Sequence, residues 1–268
     1  MSPGAVLALG ELTREEVAEL APSGILVLPV GSIEQHGPDL PLMTDSMLVE
    51  AVLAGAAARA DLPGPLVLAP VVSYGNSQHH LFACAASVRP ETLAALLTDL
   101  VRSLHISGFR RFVLVNGHGG NDETVRTVTK QVVLEHNIAV ASCNYWDVEV
   151  APAGGSDVAV PAGVVVPAGV DVPGHAGWWE ASLALAVRPD LVRTGRHTSA
   201  PLGPRALHAI APVPGLNVQR HGEWPRSGGT TGPTEGADPD AGRRLLDERV
   251  TALAGALREF DRLTRGQA

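Results

Sequence analysis

Three short runs concentrate side chains that bind divalent ions. The first is Gly31-Ser-Ile-Glu34-Gln-His36-Gly37-Pro38, with Asp45 following. The second is Asn116-Gly-His118-Gly-Gly-Asn121, and the third is His175-Ala-Gly-Trp178-Trp179-Glu180. Carboxylates and imidazoles are the usual ligands of zinc, manganese and iron(II), and such ions hydrolyse amides by acidifying water and polarising the carbonyl. Each run has a plainer explanation. The first could be loop solvation or helix capping, and the second a tight turn with a capping Asn121. The third could be a surface histidine beside two core tryptophans. The plain explanation of the second run leaves unexplained why an imidazole stands among its glycines.

The elements around these runs decide whether they can meet. Thr13-Arg-Glu-Glu16 is a capping box that predicts a helix over 13–20. Strands are expected at 24–30, 66–69, 111–115 and 138–142. Helices are expected at 45–61, from Pro90 to about His105, after Asn121, at 176–187 and at 238–264. Strands alternating with helices imply right-handed crossovers and a mostly parallel sheet covered by helices on both faces, a three-layer α/β/α fold. Glu34, His36 and His118 would then leave the carboxyl ends of two strands, the edge where such sheets bind ligands. Glu34 and His36 are two apart, so in extended chain they share a side. His175 and Glu180 are five apart and do not share a helical face, so they converge only if His175 turns back from the helix entry. Residues 150–173 read as a long loop with one short strand near Val164–Val166, and 195–237 as a second irregular stretch. The stripe Leu246, Val250, Leu253, Leu257 and Phe260 reads as core packing.

A single domain over 1–268 is expected, and an apolar share of 45% suffices for its core. A net charge of −8 with scattered basic residues argues against nucleic acid as a partner. No apolar run is long enough for a membrane span, and the N-terminus does not read as a signal peptide. A cytoplasmic location follows as an expectation, with Cys84 and Cys143 as reduced core thiols.

The same residues carry a family resemblance. GSIEQHGPDLPLMTD and HAGWWEAS resemble motifs of the creatininase (creatinine amidohydrolase) family. SGGTTGP with Ala241-Gly242-Arg243 is similar to its closing segment. NGHGGN resembles the branch that includes the mycofactocin-maturing peptidase and pathway deformylases. The resemblance covers about 20–262. It implies two divalent ions (zinc, manganese or iron(II)), one held by Glu34 and His118, the other by His36, with Asp45 bridging. Creatininases proper carry a further Glu where this chain has Gly120, and Glu180 is expected to supply the missing ligand. A second departure is Ala83-Cys84-Ala85, where the family shows a Phe-Pro-Gly-Thr run, and this makes creatinine a poor assumption for the substrate.

The implied activity is hydrolysis of a C–N bond in a small amide or cyclic amide, with His175 as the acid for the leaving nitrogen and Glu180 beside it. Ser77, His80, Gly119, Trp146, Trp178 and Trp179 are the expected substrate contacts. A peptidase or deformylase acting on a biosynthetic intermediate is the alternative enzyme. A non-catalytic metabolite-binding or assembly protein is the alternative of another class. Relatives form rings, so the resemblance implies a homo-oligomer, with a hexamer favoured.

Overall fold

The structure is a computed structural model that describes residues 5–149, 164, 173–193, 195 and 218–266. Its sheet has five parallel strands: β1 (Val6–Ala8), β2 (Ile25–Val30), β3 (Leu66–Leu68), β4 (Arg111–Asn116) and β5 (Ala139–Asn144), in the order β1-β3-β2-β4-β5. Every residue of the central strands β2 and β4 is buried. Parallel strands covered on both faces require such continuous apolar runs. The α-helices among the described residues are α1 (Arg14–Leu20), α2 (Thr44–Ala60), α3 (Pro90–Ile106), α4 (Asp122–Glu135), α5 (Trp178–Val187), α6 (Glu223–Arg226) and α7 (Pro239–Thr264).

The two faces of the sheet carry separate cores. Leu48 and Val52 of α2, Trp178 of α5 and Leu253 of α7 pack on one side with Val27 and Val113. Leu93, Leu97 and Val101 of α3 and Val125 and Val128 of α4 pack on the other with Leu26 and Leu114. The stripe on α7 is core, as its spacing implies: Val250, Leu253 and Leu257 are buried, and Leu246 and Phe260 pack against them. The buried pair Arg111–Asp261, at 2.8 Å, ties the start of β4 to α7.

Register does the positioning. Pairing runs from Ile25↔Arg111 to Val30↔Asn116, so β2 and β4 end level. The segments that follow them, Gly31–His36 and Gly117–Asn121, therefore leave the sheet side by side.

The structure departs from expectation in four places. β1 adds an edge strand whose three residues carry too little pattern to announce it. Asn121 stands at the start of α4 without capping it: its side chain instead donates to the Gly31 carbonyl and accepts from the Asn76 N–H, joining three loops. Residues 223–226 form a short helix inside a stretch expected to be irregular. Cys84 is exposed, not a core thiol. The strand expected near Val164–Val166 lies outside the described residues, apart from Val164.

Candidate metal centre

Two glycines press the strand ends onto α2. A Cβ on Gly31 would meet the Ser46 Cα at 2.7 Å, and one on Gly117 would meet the Val49 Cβ at 2.7 Å and the Asp45 carbonyl at 2.9 Å. Only glycine permits this approach. It places the Asp45 carboxylate between two imidazoles: Oδ1 lies 3.2 Å from His36 Nε2, and Oδ2 lies 3.2 Å from His118 Nδ1. Glu34, fully buried, faces His118 Nε2 through Oε2 at 3.3 Å. Its Oε1 faces His80 Nε2 and His175 Nδ1, each at 3.5 Å.

Glu180 enters from α5. Its Oε2 lies 3.8 Å from His36 Nε2 and accepts the Ala176 N–H. Ala176 adopts a left-handed backbone (φ +55°), a conformation that costs a non-glycine residue roughly 1–3 kcal/mol. This turn is how residues five apart converge. Around the site, donor atoms gather within 4.8 Å of one another in four groups: Glu34–Asp45–His118, His36–Asp45–Glu180, Glu34–His36–His175 and Glu34–His79–His80.

The neighbouring acceptors assign the imidazole tautomers. His36 Nδ1 donates to the Glu34 carbonyl (3.1 Å), turning Nε2 toward Asp45. Gln35 is held by accepting the Gly37 N–H and by donating to the Gly229 carbonyl. Its second N–H faces His80 Nδ1 at 2.9 Å, which leaves the ring proton of His80 on Nε2. His175 Nε2 lies 3.2 Å from the Gln35 carbonyl and 3.1 Å from the Gln35 side-chain nitrogen, which turns Nδ1 toward Glu34. Fixing ring orientation and tautomer in this way is typical of imidazoles that bind metal or move protons.

The charges are frustrated without a cation. Burial raises Glu34 to about 7, against the pull of His118, and burial raises Glu180 to about 7, against His36. Burial alone would lower His36 and His118, but Asp45 and Glu180 lift His36 to about 10, and Glu34 and Asp45 lift His118 to about 9. Asp45 is held far below the carboxylate range: burial opposes ionisation, and the two imidazoles overcome it. Burial and the neighbouring His36 and His80 push His175 well below its ordinary value. It is therefore a neutral imidazole, not a ready acid as its ordinary pKa would suggest. Both Glu34 oxygens and Asp45 Oδ2 are buried with no hydrogen-bond partner. Such carboxylates are costly unless a cation answers them, so these residues fit divalent ions.

Asp45, His118, Gly119, Trp146, His175, Trp179 and Glu180 all line one cavity of about 430 Å³. Three other expected contacts lie behind its wall. Ser77 is fully buried, bonded to Ser32 and His118, and His80 is fully buried under Gln35. Trp178 is buried with its indole N–H on the Gly236 carbonyl. Sequence reasoning missed Gln35, His79 and Trp224. Gln35 lies inside the first motif, flanked by two ligand candidates, which was its signal. Trp224 stands edge-on to His80 at 4.5 Å and to His175 at 5.5 Å, and also lines the cavity. Nothing in its Gly/Pro-rich neighbourhood announces it.

With this geometry in view, the likeness to known proteins becomes specific. The family model described as creatinine amidohydrolase matches residues 10–257. The chain is 35% identical over 205 residues to the mycofactocin precursor peptide peptidase of Mycobacterium ulcerans (strain Agy99), covering 74% of this chain and 71% of that protein. It is 30% identical over 267 residues to the creatinine amidohydrolase of Pseudomonas putida, covering 94% and 96%. A solved manganese creatininase superposes with a TM-score of 0.74 at 28% identity, over 94% of this chain and 97% of that one. The chain belongs to the creatininase family of metal-dependent amidohydrolases.

Proposed function

We propose that this enzyme hydrolyses a C–N bond of a small amide at two divalent ions, one held by Glu34, Asp45 and His118, the other by His36, Asp45 and Glu180. The observation that carries the reading is Asp45, whose two carboxylate oxygens face two separate imidazoles at 3.2 Å. When bound, the ions would acidify the attacking water and polarise the amide carbonyl. Zinc suits the mixed imidazole–carboxylate groups, and manganese or iron(II) the carboxylate-rich side.

The chain's own residues do the rest. His175, with Nδ1 directed at the site, is placed to pass a proton from the attacking water to the leaving nitrogen; burial beside His36 and His80 makes it a weak base and, once protonated, a strong acid for that second step. Gln35 holds that ring through its backbone carbonyl. Gly119 and Gly120 line the cavity, and their backbone N–H groups are the donors this reading assigns to the developing oxyanion. Trp146, Trp179 and Trp224 supply apolar walls that exclude water and clasp the substrate.

A peptidase or deformylase acting on a biosynthetic intermediate is the second reading. It is favoured by the identity to the mycofactocin precursor peptide peptidase and by the replacement of the Phe-Pro-Gly-Thr run with Ala83-Cys84-Ala85. We read the chain as one cytoplasmic domain that assembles into a homo-oligomer, a hexamer by analogy. The deciding experiment strips the protein with a chelator, restores single metals, and follows cleavage of cyclic amides, N-formyl compounds and short peptides. Turnover that returns with about two ions per chain is expected. Turnover that is indifferent to chelation sinks the reading, and the substrate group cleaved fastest chooses between its two forms.

A further inference from the structure

We propose that Gln35 is a positioning residue for the hydrolysis: through one side-chain N–H it makes His80 a proton donor and His175 a proton acceptor toward the centre. This rests on the reading of His175 above. The two rings stack (centroids 4.5 Å apart, interplanar angle 19°) and span the same two groups in opposite senses. His80 points Nδ1 at Gln35 Nε2 (2.9 Å) and Nε2 at Glu34 Oε1 (3.5 Å). His175 points Nε2 at Gln35 Nε2 (3.1 Å) and Nδ1 at Glu34 Oε1 (3.5 Å). With so similar a placement, the ring protons decide which imidazole does what.

The backbone fixes the amide first. Oε1 is the end that accepts the Gly37 N–H (3.0 Å), and Nε2 is the end that donates to the Gly229 carbonyl (2.6 Å). Gly229 closes tightly on this buried side chain: at φ +78°, a Cβ there would meet Nε2 at 2.7 Å and Cδ at 2.9 Å. One N–H of Nε2 remains, and two ring nitrogens face it. His175 Nε2 also faces an acceptor, the Gln35 carbonyl at 3.2 Å, to which a ring N–H can donate. Among the described residues, His80 Nδ1 has only the amide nitrogen within hydrogen-bond distance. A buried ring nitrogen that faces only a donor is an acceptor. The N–H therefore goes to His80 Nδ1, and both rings carry their protons on Nε2. Nδ1 of His175 is then a bare lone pair, the state in which it can take a proton from water. The opposite choice leaves His80 Nδ1 unpaired and places the His175 proton on Nδ1, where it blocks acceptance.

Neutron diffraction from deuterated, zinc-loaded crystals of the full chain reads these protons. Deuterium is expected on Nε2 of both rings, and deuterium on Nδ1 of either one overturns the assignment. The zinc peaks in the same crystals count the ions, so a failure of the two-ion reading shows separately. His80→Phe keeps a ring but removes the acceptor, which releases the N–H to His175 Nε2. The His175 deuterium is expected to move to Nδ1. With the fastest substrate of the screen above, kcat is expected to fall by the roughly 10–100-fold that loss of an outer-shell partner costs, with KM little changed. Gln35→Met removes the N–H itself and is expected to lower kcat to a similar extent. Wild-type kcat in folded Gln35→Met overturns the positioning role. If that variant does not fold, a His175 deuterium that stays on Nε2 in His80→Phe overturns it. Wild-type kcat in His175→Ala would instead sink the reading of His175, whatever the protons show.

Discussion

The two candidate ion positions share Asp45 and differ in everything else. The Glu34–Asp45–His118 group is built from strand ends and the first turn of α2, all within residues 34–118, and is locked by glycines against α2. The His36–Asp45–Glu180 group borrows its last member from α5, through a left-handed Ala176 and across a long stretch of chain. The first is held by the sheet and the second depends on how α5 docks.

Breaking the shared member should give the largest effect. Asp45→Ala removes the carboxylate common to both groups. Transition-state stabilisation by metal is worth several kcal/mol, and tenfold in rate corresponds to about 1.4 kcal/mol. Activity is expected to fall by about a thousandfold or more, with both ions lost on elemental analysis. Retention of two ions would show that Asp45 is not the bridge. Glu180→Gln divides the two positions: one ion should leave and the other stay. Simultaneous loss of both ions would make α5 essential to the whole centre and erase the contrast.

A smaller effect tests the glycine packing on the Glu34 side. Gly120→Ala introduces a Cβ against the Asn76 carbonyl and His118 Nε2, while Gly119→Ala meets nothing within 4 Å. Overpacking of this kind costs about 1–3 kcal/mol. Denaturant unfolding of the metal-free proteins should show that loss for Gly120→Ala and almost none for Gly119→Ala. Equal midpoints would mean the turn relaxes freely and is no rigid wall.

Legibility followed the same division. Glu34, His36, Asp45 and His118 were readable because strand-end loops in a parallel sheet must meet at one edge, and their spacing put two of them on one side of an extended chain. Glu180 stood out in the third run, but its place among the ligands came from the resemblance, because five residues along a helix do not share a face; the left-handed Ala176 lies in the turn that brings both to the site. Ser77 and His80, expected as substrate contacts, lie beneath the cavity and not on its wall. Depth depends on how the 74–85 segment packs, which local pattern does not encode. Trp224 was illegible for a similar reason: it reaches the site by tertiary packing alone, from a segment without periodicity.

The smallest and most graded prediction concerns protons. In the metal-free protein, His36 and His118 hold their protons to about 10 and about 9, because the carboxylates of Asp45 and Glu180 stabilise the His36 imidazolium and those of Glu34 and Asp45 the His118 imidazolium. Glu34 and Glu180, raised to about 7 by burial, are partly protonated at neutral pH. An ion entering either group must displace these protons, since a ligand lone pair cannot serve both. The sign is therefore fixed: affinity rises with pH and levels off only above the imidazole values. Each proton released makes affinity climb about tenfold per pH unit. Calorimetric titration with zinc at pH 6.5, 7.5 and 8.5, in buffers of different ionisation enthalpy, counts those protons directly. The Asp45-centred arrangement predicts release at both positions. A flat affinity across that range would mean that the imidazoles are already neutral, and that the carboxylates around Asp45 do not act on them as the distances imply.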